Sequence, residues 1–236
     1  MNEFNPQFSP NVAQAAPNER AAFIRRTYTI LAFAILAFIG FEFLLFASGI
    51  AELFAQLVYS TGGLGWLAVL GGFMLISWLS NKWAADGTST AIQYAGLGLF
   101  IIAEAVIFIP LLYLAAYRSG DATVILKAGI VSLSLFLGLT FTVIVTRTDF
   151  SWLAPIISIG GFAALGFIIV SALFGFSLGS VFSLIMVGFA ATAILYETSQ
   201  VLYRFNTKQH VAAALTLFAS VALLFWYILR LFSSRR

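Results

Sequence analysis

This chain of 236 residues contains no cysteine, only one histidine, and 9% charged residues. The missing cysteine excludes disulfides, thiolate metal sites and cysteine nucleophiles, and it leaves no mark of a redox compartment. The scarcity of charge excludes a water-soluble globule, whose surface needs close to 25% charged residues to stay wetted. The twelve Lys and Arg stand singly or in pairs between apolar runs, so no basic stripe follows a nucleic-acid backbone. Catalytic groups are equally sparse. His210 stands alone in a connector, expected to face water, with no acid or thiol at metal-ligand spacing. Gly62-Gly63 and Gly71-Gly72 lie at or in apolar runs and form no phosphate loop. Asp86, Asp121 and Asp149 all fall in connectors, which argues against an aspartate dyad inside a bundle. No enzyme is expected, and no cofactor or metal.

What the chain has instead is apolar length. Hydrophobic residues make up 61% of it, and the mean hydropathy is +1.01. Crossing a hydrocarbon core of about 30 Å takes about twenty apolar residues. Seven runs qualify: Thr27–Ala47, Leu64–Leu79, Ala91–Leu114, Thr123–Thr146, Trp152–Phe174, Leu178–Leu195 extending towards Tyr203, and Val211–Phe232. The second is the shortest, and Gly49–Gly63 offers a partial or interfacial helix before it. The expectation is an all-α, polytopic seven-helix membrane bundle over residues 27–236. A polar tail over residues 1–26, interrupted by Pro6, Pro10 and Pro17, is expected to be disordered and cytoplasmic. It lacks the basic start and closely following apolar stretch of a signal peptide, so the first run reads as a retained helix.

Trp66, Trp78, Trp83, Trp152 and Trp226 fall near run ends, where the headgroup layer favours an amphipathic ring. Pro155 opens the fifth run, where its missing N–H is harmless. Pro110 lies inside the third and should bend it, either shaping packing only or serving a site. Small residues, Gly160, Gly161 and Ala164 in one run and Ala190, Ala191 and Ala193 in the next, allow close helix approach. With the amino end in the cytoplasm, seven basic residues fall inside and five outside; the Arg25-Arg26 pair before the first run decides for that orientation, with the carboxyl end outside.

Ionisable residues at membrane depth are functional candidates by default. Glu42, Glu104, Glu197 and Arg230 are the four. Glu42 and Glu104 lie at similar distances along the first and third runs and could share a level, either as a proton or cation relay or as two separate neutral, hydrogen-bonded acids. Arg230 either anchors a carboxylate or snorkels to the interface. Glu197 lies seven residues before the connector Arg204–His210, and Ser220 ten after it. An antiparallel helix pair therefore brings Glu197 and Ser220 to one depth.

Three segments resemble the Bax inhibitor-1 family, most closely its bacterial, YccA-like branch. Ile194-Leu195-Tyr196-Glu197-Thr198-Ser199 is similar to the family's signature at the end of the sixth helix. Val145-Thr146-Arg147-Thr148-Asp149-Phe150-Ser151 resembles its connector between the fourth and fifth helices, and Thr216-Leu217-Phe218-Ala219-Ser220 its last helix. The likeness runs from Arg25 to the end of the chain. It implies two functions. The bacterial branch is associated with modulating the membrane-bound AAA protease FtsH, for which a free amino tail would be a handle. The calcium-leak type gates a pore with two aspartates on the last two helices. Here those positions carry Glu197 and Ser220, and the second run lacks a latching arginine, so the paired titration of the leak type does not carry over. A single Glu197 would bind a proton or Ca2+ weakly. The leading expectation is a non-enzymatic modulator in a bacterial inner membrane; the alternative is a calcium or proton leak through Glu197.

Overall fold

A computed structural model describes residues 11–86, 89–118 and 123–234. Among them are seven helices long and apolar enough to cross a membrane. They are α1 (Pro17–Ala47), α2 (Ile50–Ala84), α3 (Thr90–Tyr113), α4 (Thr123–Thr146), α5 (Ala154–Phe174), α6 (Gly179–Tyr203) and α7 (His210–Ser234). The protein is an all-α, multi-pass membrane bundle, as the apolar runs require.

The most buried helices are α3 and α7, and the others pack around them. An aromatic lattice joins them. Phe108 meets Phe38 of α1 edge-on at 5.2 Å and Trp226 of α7 at 4.9 Å. Phe218 meets both Phe38 and Phe100. Trp226 stacks on Trp66 of α2 at 5.7 Å. The expectation that all five tryptophans mark the headgroup layer therefore needs correction. Trp78, Trp83 and Trp152 are exposed, but Trp66 and Trp226 pack on each other within the bundle. Trp226 lies between the Trp66 and Phe108 rings, and such aromatic contacts add to the gain from burial.

Two other boundaries differ from the sequence reading. Helix α1 starts at Pro17, ten residues before the apolar run, with Pro17 in the first turn and Glu19 against the helix dipole. Ahead of it Val12 is fully buried, its N–H donating to the Phe205 carbonyl at 3.0 Å, and Asn11 forms an antiparallel bridge with Asn206. Residues 11–26 are thus folded onto the α6–α7 turn, not a free tail; residues 1–10 lie outside the described residues. The second difference is in α2. The partial helix expected before its apolar run is continuous with it, except at Gly62, whose backbone (φ 62°, ψ −142°) is open essentially to glycine alone. This break turns the chain so that residues 63–84, about 33 Å of helix, cross the core. Pro110 sits inside α3 as expected, its carbonyl accepting from the Tyr59 hydroxyl at 2.7 Å, and a single π turn follows over Leu114–Arg118. Between α5 and α6, Gly160 lies under the Phe189 ring, a glycine against an aromatic side chain.

One end of the bundle is stapled by the two polar segments that the sequence singled out. The Phe150 N–H donates to Ser199 Oγ at 3.2 Å, and Gln200 Nε2 to Ser151 Oγ at 3.0 Å. The Tyr203 hydroxyl donates to the Arg147 carbonyl at 2.6 Å, and the Arg20 guanidinium lies 5.7 Å from the Tyr203 ring centre. Arg147 adopts φ 52°, turning the chain out of α4 so that its carbonyl reaches Tyr203. Asp149 folds the connector by accepting from Ser151 N–H and Oγ, and it pairs with Arg204 at 3.7 Å. These bonds hold the Asp149 carboxyl below its ordinary value of 3.8, the Ser151 contacts first and Arg204 after them. The pair is about half exposed (58% and 48%), so its Coulomb share is small.

Gly63→Val should loosen the α2–α5 contact, because a Cβ at Gly63 would lie 1.9 Å from the Ala172 carbonyl oxygen. The expected loss is about 1–3 kcal/mol, read as a lower unfolding midpoint in detergent. Asp149→Ala should cost about 1 kcal/mol by removing the connector turn. Because the folded carboxyl titrates below 3.8, its stabilisation is present above that pH and fades as pH falls through the lowered value. Thermal unfolding of parent and variant should therefore converge in acid and separate near neutrality.

Candidate functional site

Helices α6 and α7 run antiparallel from a short turn, and the residue count that predicts Glu197 and Ser220 at one depth is realised as a contact. The Ser220 hydroxyl donates to Glu197 Oε2 at 2.8 Å. Ser220 itself is 5% exposed, and its bond supplies one of the few polar partners that a carboxyl at this depth can find.

Both residues line a cavity of about 870 Å³ between α2, α3, α5, α6 and α7. Glu104 of α3 lines the same cavity, 6% exposed and with no hydrogen-bond partner among the described residues. Two carboxyl groups from different helices thus face one space. On α6 the lining ends at Glu197; Thr198 and Ser199 beyond it are buried in the stapled end. In the other direction the lining continues past Tyr227 and Arg230 to Ser233 and Ser234, and past Tyr59 and Leu178. On α5 and α2 the lining reaches Ile157 and Ser77; the two acids thus lie in its middle part and Arg230 near the far end of α7.

The remaining candidates separate. Glu42 is 7% exposed on α1, with neither carboxyl oxygen hydrogen-bonded, and it does not line the cavity. Of the three acids, Glu104 and Glu197 line one cavity and Glu42 does not. Arg230 lines the cavity instead of anchoring any described carboxylate. Tyr196 is half-buried, its carbonyl accepting from Ser199, while Arg147 and Asp149 act in the staple. Thr198 is fully buried, one residue from Glu197. The Tyr28 hydroxyl points towards Thr198 and Thr140, with none of the three hydroxyls closing a hydrogen bond of ordinary geometry. This hydroxyl cluster has no sequence motif; only its three polar residues at matching depth on α1, α4 and α6 could have suggested it. His210 is half-buried beside Arg26 with its Nδ1 enclosed, not a freely solvated side chain. No group of three or more potential metal ligands occurs among the described residues.

Comparison with known proteins agrees with the resemblance carried by the three motifs. A family model described as "Inhibitor of apoptosis-promoting Bax1" matches residues 20–236. An uncharacterized protein of Pseudomonas aeruginosa is 29% identical over 231 residues, covering 96% of this chain and 95% of its own length. Protein lifeguard 4 of Mus musculus is 26% identical over 228 residues, covering 93% and 87%. A Golgi anti-apoptotic protein of vaccinia virus (strain Lister) is 29% identical over 116 residues, covering 47% of each chain. With its motifs joined at the α6–α7 pair and the match spanning all seven helices, this chain belongs to the Bax inhibitor-1 family.

Proposed function

We propose that this membrane protein is a low-rate leak pathway for protons or cations, with Glu197 as the group that takes up the permeant ion. The observation that carries the reading is the shared recess, in which Glu197 and Glu104 face one cavity and Ser220 holds the Glu197 carboxyl. A carboxyl at membrane depth earns its place when it exchanges a proton or a cation with a water-accessible space. The stapled end beyond Glu197 acts as the closed gate. Release of the Ser199–Phe150 and Gln200–Ser151 bonds would open the path through the Thr198, Tyr28 and Thr140 hydroxyls. One carboxylate with a serine does not make a tight calcium site, so a permeating Ca2+ would be held briefly.

The protein acts without catalysis in this proposal, in a bacterial inner membrane, with the stapled end and the amino terminus in the cytoplasm. Arg25 and Arg26 before the core of α1, with Arg147, Arg204 and Lys208 near the same end, support that orientation. An FtsH-type partnership is the weaker reading, because residues 11–26, counted in the expected amino-terminal handle, are folded against the α6–α7 turn.

Proteoliposomes loaded with a pH or calcium dye should show a flux that Glu197→Gln lowers roughly tenfold or more, since a buried charged partner is worth about 1.5–3 kcal/mol. Equal flux in parent, variant and empty vesicles would sink the proposal. Ser220→Asp should make the flux steeply pH-dependent, because two carboxylates in hydrogen-bond reach cannot easily both ionise. The chain has no native cysteine, so a single cysteine placed at Thr207 should label from the cytoplasmic side alone.

A further inference from the structure

The far end of the cavity has chemistry that ion permeation through Glu197 does not use. Arg230 lines it with no carboxylate partner among the described residues. Ser233, one turn further along the same face of α7, also lines it, and its hydroxyl is enclosed without a hydrogen-bond partner. A guanidinium and a hydroxyl three residues apart on one helix face form a matched pair of donors for a carboxylate. The acids of the cavity do not neutralise this pair. Ser220, which holds Glu197, is ten residues earlier on α7, about 15 Å along the helix axis.

Between the two ends the wall is apolar and aromatic. Phe73, Phe100, Phe108 and Phe189 line it, together with the stacked Trp66 and Trp226. The volume, about 870 Å³, lies within the range of small-molecule sites, roughly 300–1,000 Å³. On α7 its lining runs from Ser234 back to Ala219, from the end of the helix towards the middle of the bundle. A polar group at the helix end with a tail running inward is the posture of a lipid in the leaflet on that side. The wall towards α5 is closed at Gly63, whose backbone touches that of Ala172. Helix α5 itself has only Ala164 buried along its length, so it is loosely held and lipid-facing.

We propose that this cavity binds a long-chain carboxylate, a free fatty acid. Its carboxylate is held by Arg230 and Ser233, and its chain lies along α7 between the aromatic rings. The occupant is a single-chain acid because the donor pair suits one carboxylate and the wall between that pair and the acids is apolar and aromatic. Binding needs no ion flux, so the proposal stands or falls separately from the leak.

The test uses the full chain in nanodiscs of zwitterionic lipid, with Trp78, Trp83 and Trp152 changed to Phe so that emission comes from the cavity-lining Trp66 and Trp226. Titration with dibromostearate, a short-range quencher, should give saturable quenching. The midpoint should move at least tenfold higher in Arg230→Gln and much less in Arg230→Lys, which keeps the charge. Ala219→Leu, filling the wall beside Ser220, should also weaken binding while leaving Arg230 intact. The dibromo alcohol of equal chain length should quench no better than the acid does in Arg230→Gln. Quenching that never saturates, or that is the same for acid, alcohol and Arg230→Gln, means partition into the bilayer and overturns the proposal. Quenching by a dibrominated phospholipid but not by the free acid overturns it as well. Each variant is compared at matched elution volume and unfolding midpoint, so a misfolded variant is replaced by the other one.

Discussion

An ionisable group surrounded by hydrocarbon must find a partner, a proton or a hydrated space, and the centre of this bundle is organised by that demand. Glu197 has all the polar help that its depth allows, a hydroxyl from the neighbouring helix and an opening on one side. Among the described residues Glu104 lines the same cavity with no hydrogen-bond partner, and Glu42 neither lines it nor is hydrogen-bonded. The three acids, alike in composition terms, therefore differ in what they can do. Only the two that face the cavity can exchange anything with it.

The second constraint is close packing without a hydrophobic drive between helices. Aromatic rings from α1, α2, α3 and α7 interlock at the core, and small residues let backbones touch where rings are absent. Gly96 sits against the backbone of Ser80 and Ala84, as Gly63 sits against Ala172. The contact between α2 and α3 is extensive, whereas α5 touches its neighbours sparingly. The cavity lies where this uneven packing leaves room, bounded by the kink at Gly62 on one side and the lightly held α5 on the other.

The two polar signatures act as one structural unit. Asp149, Ser151, Ser199, Gln200 and Tyr203 form a hydrogen-bonded plate across the end of α4, α5 and α6, and the amino-terminal segment lies against the adjoining turn. Glu197 stands one turn inside that plate. The two family-like segments therefore meet at one end of the bundle, on the same stretch of α6 that carries the acid.

The seven helices were legible from apolar length alone, because lipid demands long, uncharged, internally hydrogen-bonded segments and tolerates little else. The Glu197–Ser220 contact was legible too, since a short turn between antiparallel helices converts residue counts directly into depth. Helix packing decided the rest. Which carboxyl faces the cavity depends on how each helix is rotated about its axis, and no count along the chain reports that rotation; hence Glu104 and Glu197 line it and Glu42 does not. The same holds for Trp66 and Trp226, whose positions near run ends say nothing of the partner ring that draws them inward. Residues 11–26 read as a polar tail because their stabilising contacts lie on the α6–α7 turn, nearly two hundred residues away. Composition determined the solvent and the number of crossings; only the assembled bundle decided which polar groups share a space, since that depends on neighbours distant in sequence.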